Sequence, residues 1–299
     1  MTAAGRDRVE RLADGRAVML RAYGAEDGAG VLMLHGTPGS RLKFSEADAA
    51  ARALGLRVVA PDRWGYGGTS PHPAPSLGTF AADMGEIADR LRLDRLAVCG
   101  VSGGAPYAAA VAAEMPDRVT ALALVSPVGP LDVALEDGGL VPFHRFCFRW
   151  LAQRPPVTAG IFLAYAAAIR RTPSLARRLA VLRAPAADVA LMRRPEVATR
   201  LLATFAEGLR HGGGGVATDL ALFGRPWRVD LARIHAPARM WCGSEDTNVP
   251  KAGWTALRAD IAHLEVADMA GEGHLWVALH YGEVLEWIAR AAGGTRPGA

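Results

Sequence analysis

Short, mostly apolar runs alternate with amphipathic stretches along most of this chain. Residues 31–34 are continuously apolar, and 56–60, 96–99, 119–125, 238–242 and 264–266 read in the same way. Such runs, ended by glycine, proline or polar residues, predict strands buried on both faces of a parallel sheet. Residues 42–54, 80–91 and 105–115 carry helical spacing, and Gly55 and Pro116 end the first and third. Residues 16–23 alternate after the turn dipeptide Asp14-Gly15 and, with 8–12, predict an antiparallel hairpin. A last helix is expected over 283–290. Strand–helix alternation implies an α/β fold: a mostly parallel sheet with helices on both faces.

The alternation stops between 129 and 228. Residues 143–151, 159–171, 174–183, 186–193 and 196–209 all read as helix, punctuated by prolines, and Gly212–Gly215 reads as a flexible break. This predicts a helical cap or lid over 129–228, inserted between two strands of one core formed by 1–128 and 229–299.

Composition narrows the class. Of 299 residues, 51% are hydrophobic and 21% charged, a globular balance rather than a disordered one. No uncharged run approaches the roughly 18 residues of a membrane span. Charges within the first ten residues leave no signal-peptide core, so a cytoplasmic location is expected. Cys99, Cys147 and Cys242 are scattered, which excludes a disulfide scaffold and a cysteine zinc site and fits a reducing compartment. A net charge of +4 does not support a nucleic-acid partner. Lys43 and Lys251 are the only lysines; every other basic side chain except histidine is arginine. Residues 143–210 hold twelve arginines against Asp188, Glu196 and Glu207. Either these arginines solvate a surface, or some face a pocket and attract an anionic substrate.

The chemistry gathers where strands end. Gly100-Val101-Ser102-Gly103-Gly104 lies between a predicted strand and a predicted helix, the context that makes Gly-x-Ser-x-Gly a nucleophile elbow. A strand turning sharply into a helix leaves no room for side chains at 100 and 104, and it lifts the Ser102 hydroxyl clear of the sheet. A serine nucleophile needs a base, and the base needs an orienting acid. Asp246 sits in the polar loop after the strand at 238–242, and His274 follows the last strand. In open parallel sheets, sites gather at the carboxyl edge.

With these motifs the chain resembles the α/β-hydrolase fold family over nearly its whole length. The resemblance rests on His35-Gly36-Thr37-Pro38-Gly39, the Ser102 elbow, Gly243-x-x-Asp246 and Gly273-His274, in that order. It implies Ser102 as nucleophile, His274 as general base, Asp246 as acid, and an oxyanion hole from the backbone N–H groups of Thr37 and Gly103. It implies no metal and no cofactor. Glu245 and Asp132 compete for the acid's role. His35 and the Asp62-Arg63 pair read as structural. Trp64, Trp241 and Trp276 either line the pocket or belong to the core, and Trp64 and Trp276 are carried forward as substrate contacts.

The resulting expectation is a serine hydrolase, monomer or homodimer, that cleaves a small carboxylic ester, thioester or lactone through an acyl-enzyme. Family epoxide hydrolases and haloalkane dehalogenases use an aspartate nucleophile, which Ser102 replaces. Proline iminopeptidases share the His-Gly-x-Pro-Gly segment but carry glycine at the place of Thr37 and more acids in the cap. The alternatives left open are a C–C bond hydrolase, a cofactor-free lyase or oxygenase acting on a small metabolite, and a non-catalytic ligand receptor.

Overall fold

The computed structural model describes residues 7–136 and 140–293. The first six residues of the charged N-terminal stretch therefore lie outside the described residues. Eight strands are described: β1 (Asp7–Arg11), β2 (Ala17–Gly24), β3 (Ala29–Leu34), β4 (Leu56–Pro61), β5 (Leu96–Val101), β6 (Val119–Val125), β7 (Ala238–Gly243) and β8 (Glu265–Met269). They form one sheet in the order β1-β2-β4-β3-β5-β6-β7-β8. β1 and β2 are antiparallel, β2 meets β4 antiparallel, and the other pairs are parallel. Helices α1 (Asp48–Ala53), α2 (Leu77–Arg90) and α3 (Ala105–Glu114) fall between strands of the first half. Between β6 and β7 come α4 (Asp132–Glu136), α5 (Pro142–Arg145), α6 (Pro155–Arg171), α7 (Pro173–Ala180), α8 (Ala186–Arg193), α9 (Pro195–Gly208) and α10 (Gly214–Phe223). α11 (Lys251–Asp260) and α12 (Tyr281–Gly293) complete the helices of the described residues.

The two-residue period of a strand divides the core into two layers. Leu32, Leu34, Val98, Leu122 and Leu124 face the layer that holds α2 and α3. Val31, Met33, Ala97, Cys99, Ala121 and Ala123 face the layer of α1 and α12. Small residues on the second face make room for the large rings of Trp241, Trp276, Tyr281 and Trp287. Ser76 and Thr79 close a capping box at the start of α2. The prolines that punctuate the helical segment stand at helix starts, at Pro155, Pro173 and Pro195, where no intrahelical N–H is lost.

Three readings change. Residues 42–54 are a short 3₁₀ run, Arg41–Ala47, that kinks at Phe44 before α1. α11 has no strong apolar stripe, since it buries only Gly253 and Leu257, and its sequence did not announce it. The four glycines at 212–215 are no flexible break, because α10 begins at Gly214. A Cβ on Gly213 would lie 2.5 Å from the Ala159 carbonyl oxygen, and one on Gly215 would lie 2.6 Å from the Tyr66 ring. Close backbone approach, rather than mobility, calls for glycine there. Among the described residues, no helix is long and apolar enough to cross a membrane.

Candidate active site

β5 runs straight into the turn that carries Ser102, whose φ of +54° is the strained conformation expected of a strand-to-helix elbow. A Cβ at Gly100 would come within 2.6 Å of the Ala105 Cα, and one at Gly104 within 2.3 Å of the Leu34 carbonyl oxygen. Strand and helix are thus nearly in backbone contact.

The loops after β7 and β8 deliver the other two side chains. Asp246 is buried. Its Oδ1 accepts the backbone N–H groups of Asn248 at 2.8 Å and Val249 at 3.3 Å, and its Oδ2 lies 2.7 Å from His274 Nδ1. His274 Nε2 stands 2.9 Å from Ser102 Oγ. The arrangement selects one tautomer: Nδ1–H donates to Asp246, and Nε2 accepts from the serine hydroxyl. Glu245 is exposed, and the charge of Asp132 is felt at Asp260, so Asp246 is the rival that meets the ring. Burial pulls the His274 pKa down, but the adjacent Asp246 charge and hydrogen bond, with Asp188 behind them, override this and raise it above the ordinary histidine value.

Thr37 and Gly103 abut: a Cβ added to Gly103 would fall 3.0 Å from the Thr37 Cβ. Gly103 lies in the first helical turn, where an N–H has no intrahelical partner. The Thr37 N–H meets no protein acceptor among the described residues. What holds the Thr37 loop is a buried carboxylate that sequence reasoning missed. Asp219 of α10 accepts from Thr37 Oγ1, from the Arg63 guanidinium, from Tyr66 at 2.5 Å and from Tyr107 at 2.7 Å. Four donors satisfy both of its oxygens. Arg63 also donates to the carbonyls of His35 and Gly36, while His35 Nε2 accepts the Arg63 N–H at 3.0 Å. His35 is fully buried, and burial with the nearby Arg63 charge holds its pKa far below the usual value, so it serves this loop as a neutral ring.

A second missed residue is Asp188 of α8. It accepts the backbone N–H of His274 at 2.9 Å and that of Leu275 at 2.8 Å. A helix inserted between β6 and β7 thus holds the main chain of the histidine loop. Burial raises the pKa of this carboxyl, against the pull of those two N–H groups. The available sequence signal was an acid inside the otherwise apolar stretch Ala186–Met192, in a segment with only three acids. Glu207, another of the three, reaches Arg41 at 2.7 Å, so two of the three tie helix to core.

Two cavities meet at Ser102. The larger, about 630 Å³, is walled mainly by apolar side chains of α6, α7 and α9, among them Phe162, Tyr165, Leu179 and Phe205. The smaller, about 190 Å³, lies on the Gly103 side, with Phe143, Phe148, Leu220 and Phe223 on its wall. Thr37, Phe162 and His274 border both. Among the described residues, Lys43 is the single basic side chain other than His274 on the wall of the larger cavity, and burial pulls its ammonium down to about 8.

Trp64 and Trp276 are not on either wall, which corrects their reading as substrate contacts. Trp64 packs edge-on against Phe80 and Tyr107 and donates to Asp83. Trp276 is fully buried and donates its indole N–H to Ser126 at 3.1 Å, beneath the histidine loop. Both rings fill the core because their single donors find acceptors there.

A family model described as the alpha/beta hydrolase fold matches residues 31–280. Among curated proteins, the chain is 34% identical over 122 residues to a non-heme chloroperoxidase from Streptomyces lividans, covering 40% of this chain and 44% of that protein. It is 33% identical over 102 residues to epoxide hydrolase 2 from Siraitia grosvenorii, covering 33% and 32%. The matched stretch thus spans less than half of either relative. Among solved structures, epoxide hydrolase A from Mycobacterium thermoresistibile superposes with a TM-score of 0.73 at 22% identity, covering 97% of this chain and 98% of that one, a likeness of fold.

Proposed function

Because this chain belongs to the α/β hydrolase fold family, we propose that it is a serine hydrolase that cleaves a small carboxylic ester, thioester or lactone through an acyl-enzyme on Ser102. The observation that carries this reading is the relay from Asp246 through His274 to Ser102, with successive contacts of 2.7 and 2.9 Å. Ser102 Oγ attacks the acyl carbonyl while His274 Nε2 takes its proton. The Thr37 and Gly103 N–H groups receive the developing oxyanion. Collapse of the tetrahedral adduct breaks the acyl–oxygen bond of an ester or lactone, or the acyl–sulfur bond of a thioester, and His274 returns the proton to the departing alkoxide or thiolate. Water then loses a proton to His274, attacks the acyl carbon and frees the acid and Ser102.

The two cavities support a substrate with a group on each side of the scissile bond. Ser102 weighs against the epoxide substrate named for one relative, since alkyl transfer to serine would leave an ether that water does not readily cleave. Residues 129–228 serve in this reading as a cap over a core formed by 1–128 and 229–299. Incubation with a fluorophosphonate probe and an activated ester tests the proposal. Covalent labelling and turnover, both lost in Ser102→Ala, are expected; turnover that survives the substitution removes Ser102 as nucleophile.

A further inference from the structure

We propose that Lys43 is an anion-recognition site and that the substrate is an ester whose far end carries a carboxylate. The proposal rests on the serine hydrolase reading and extends it from reaction to substrate class. Lys43 shares the wall of the 630 Å³ cavity with Ser102 and His274. Its ammonium has three N–H donors, and among the described residues no protein acceptor meets them. The acids nearby are already engaged. Both oxygens of Asp188 are taken by the N–H groups of His274 and Leu275. Glu46, which shares a small adjoining cavity with Lys43, pairs with Arg200 at 3.1 Å.

A buried ammonium on the wall of an apolar cavity, with no acceptor among the described residues, is costly, and a ligand carboxylate would offset that cost. The field of Lys43 is felt at His274, which places its charge within electrostatic reach of the reaction centre. The remainder of the wall is largely hydrocarbon, so a ligand that satisfies it combines an ester at Ser102, an anionic group at Lys43 and apolar carbon against the rest of the wall. None of the twelve arginines of residues 143–210 lies on this wall. Recognition of charge is therefore assigned to one fixed cation rather than to a diffuse basic field.

The test compares p-nitrophenyl hexanoate with the mono-p-nitrophenyl ester of adipic acid, which is matched in length and differs in its terminal carboxylate. The ratio of kcat/KM for the carboxylate ester to that for the neutral ester should fall roughly tenfold in Lys43→Met, chiefly through KM, and Lys43→Arg should restore much of it. An unchanged ratio, or an equal loss on both esters, overturns the proposal. A second arm needs no turnover. In Ser102→Ala protein, calorimetric affinity for monomethyl adipate should weaken roughly tenfold when Lys43→Met is added, and equal affinity overturns the proposal. If fluorophosphonate fails to label the wild-type protein while adipate binding still depends on Lys43, the hydrolase reading falls and the anion site stands. Labelling without any dependence on Lys43 has the opposite meaning.

Discussion

The two halves of the site are built on different principles. On the sheet side, Ser102, His274, Asp246 and Thr37 stand on turns and loops that leave β5, β8, β7 and β3, and directed hydrogen bonds fix them. On the helical side, α6, α7 and α9 offer mostly hydrocarbon, and several wall residues are half-exposed, including Leu179 at 45% and Ile161 at 44%. The first half has one geometry that satisfies its donors. The second tolerates many side chains of similar volume. In the proposed reading, chemistry belongs to the half with directional constraints and selection by acyl-chain size to the half without them, while Lys43, in the Arg41–Ala47 run, adds its charge from the core side. Asp219 and Asp188 are the exceptions, since both come from helical elements and spend their carboxylates on sheet-side loops.

The largest expected effect lies in the directed half. Ser102→Ala should lower kcat/KM for p-nitrophenyl acetate by a factor on the order of 10⁴ with little change in Tm; a loss of less than tenfold would erase the distinction. Next, Asp219→Ala leaves the Arg63 guanidinium buried without its carboxylate. Urea unfolding should report a loss of about 3–5 kcal/mol, and a loss under 1 kcal/mol would mean that the network does not hold the Thr37 loop. Asp188→Ala should then reduce kcat by roughly tenfold through misplacement of His274. If KM alone changed, Asp188 would belong with the apolar walls instead.

The pH profile is a finer measure of the same half. His274 must be neutral to accept a proton, and its folded pKa is raised, so kcat/KM should fall on acidification through a limb lying above the ordinary value of about 6.5. Asp188→Ala should move that limb down, because the Asp188 charge helps to raise it. The smallest effect is expected in the apolar half. Leu179→Ala should change the preference between short and longer acyl chains by roughly two- to fivefold, since its side chain is only half buried. A uniform loss across chain lengths would deny the helical wall its role in selection.

The same contrast explains what could be read from sequence. The sheet, its strand positions and the brought-together Ser102, Asp246 and His274 were legible because apolar periodicity and glycine-flanked motifs are local in sequence. Asp219 and Asp188 were not, because each meets its partners across distances in sequence that leave no spacing signal, 182 residues to Thr37 and 86 to His274. Trp64 and Trp276 were misassigned because a tryptophan beside a motif has the same local signature in a pocket or a core. Lys43 carried a faint mark, as one of two lysines in a chain that otherwise writes its basic residues as arginine or histidine.

The Asp188 contact ties the placement of α8 to that of the histidine loop. Displacing α8 would withdraw both acceptors from the main chain that carries His274. That one carboxylate gives the cavity wall and the main chain of the histidine a common anchor.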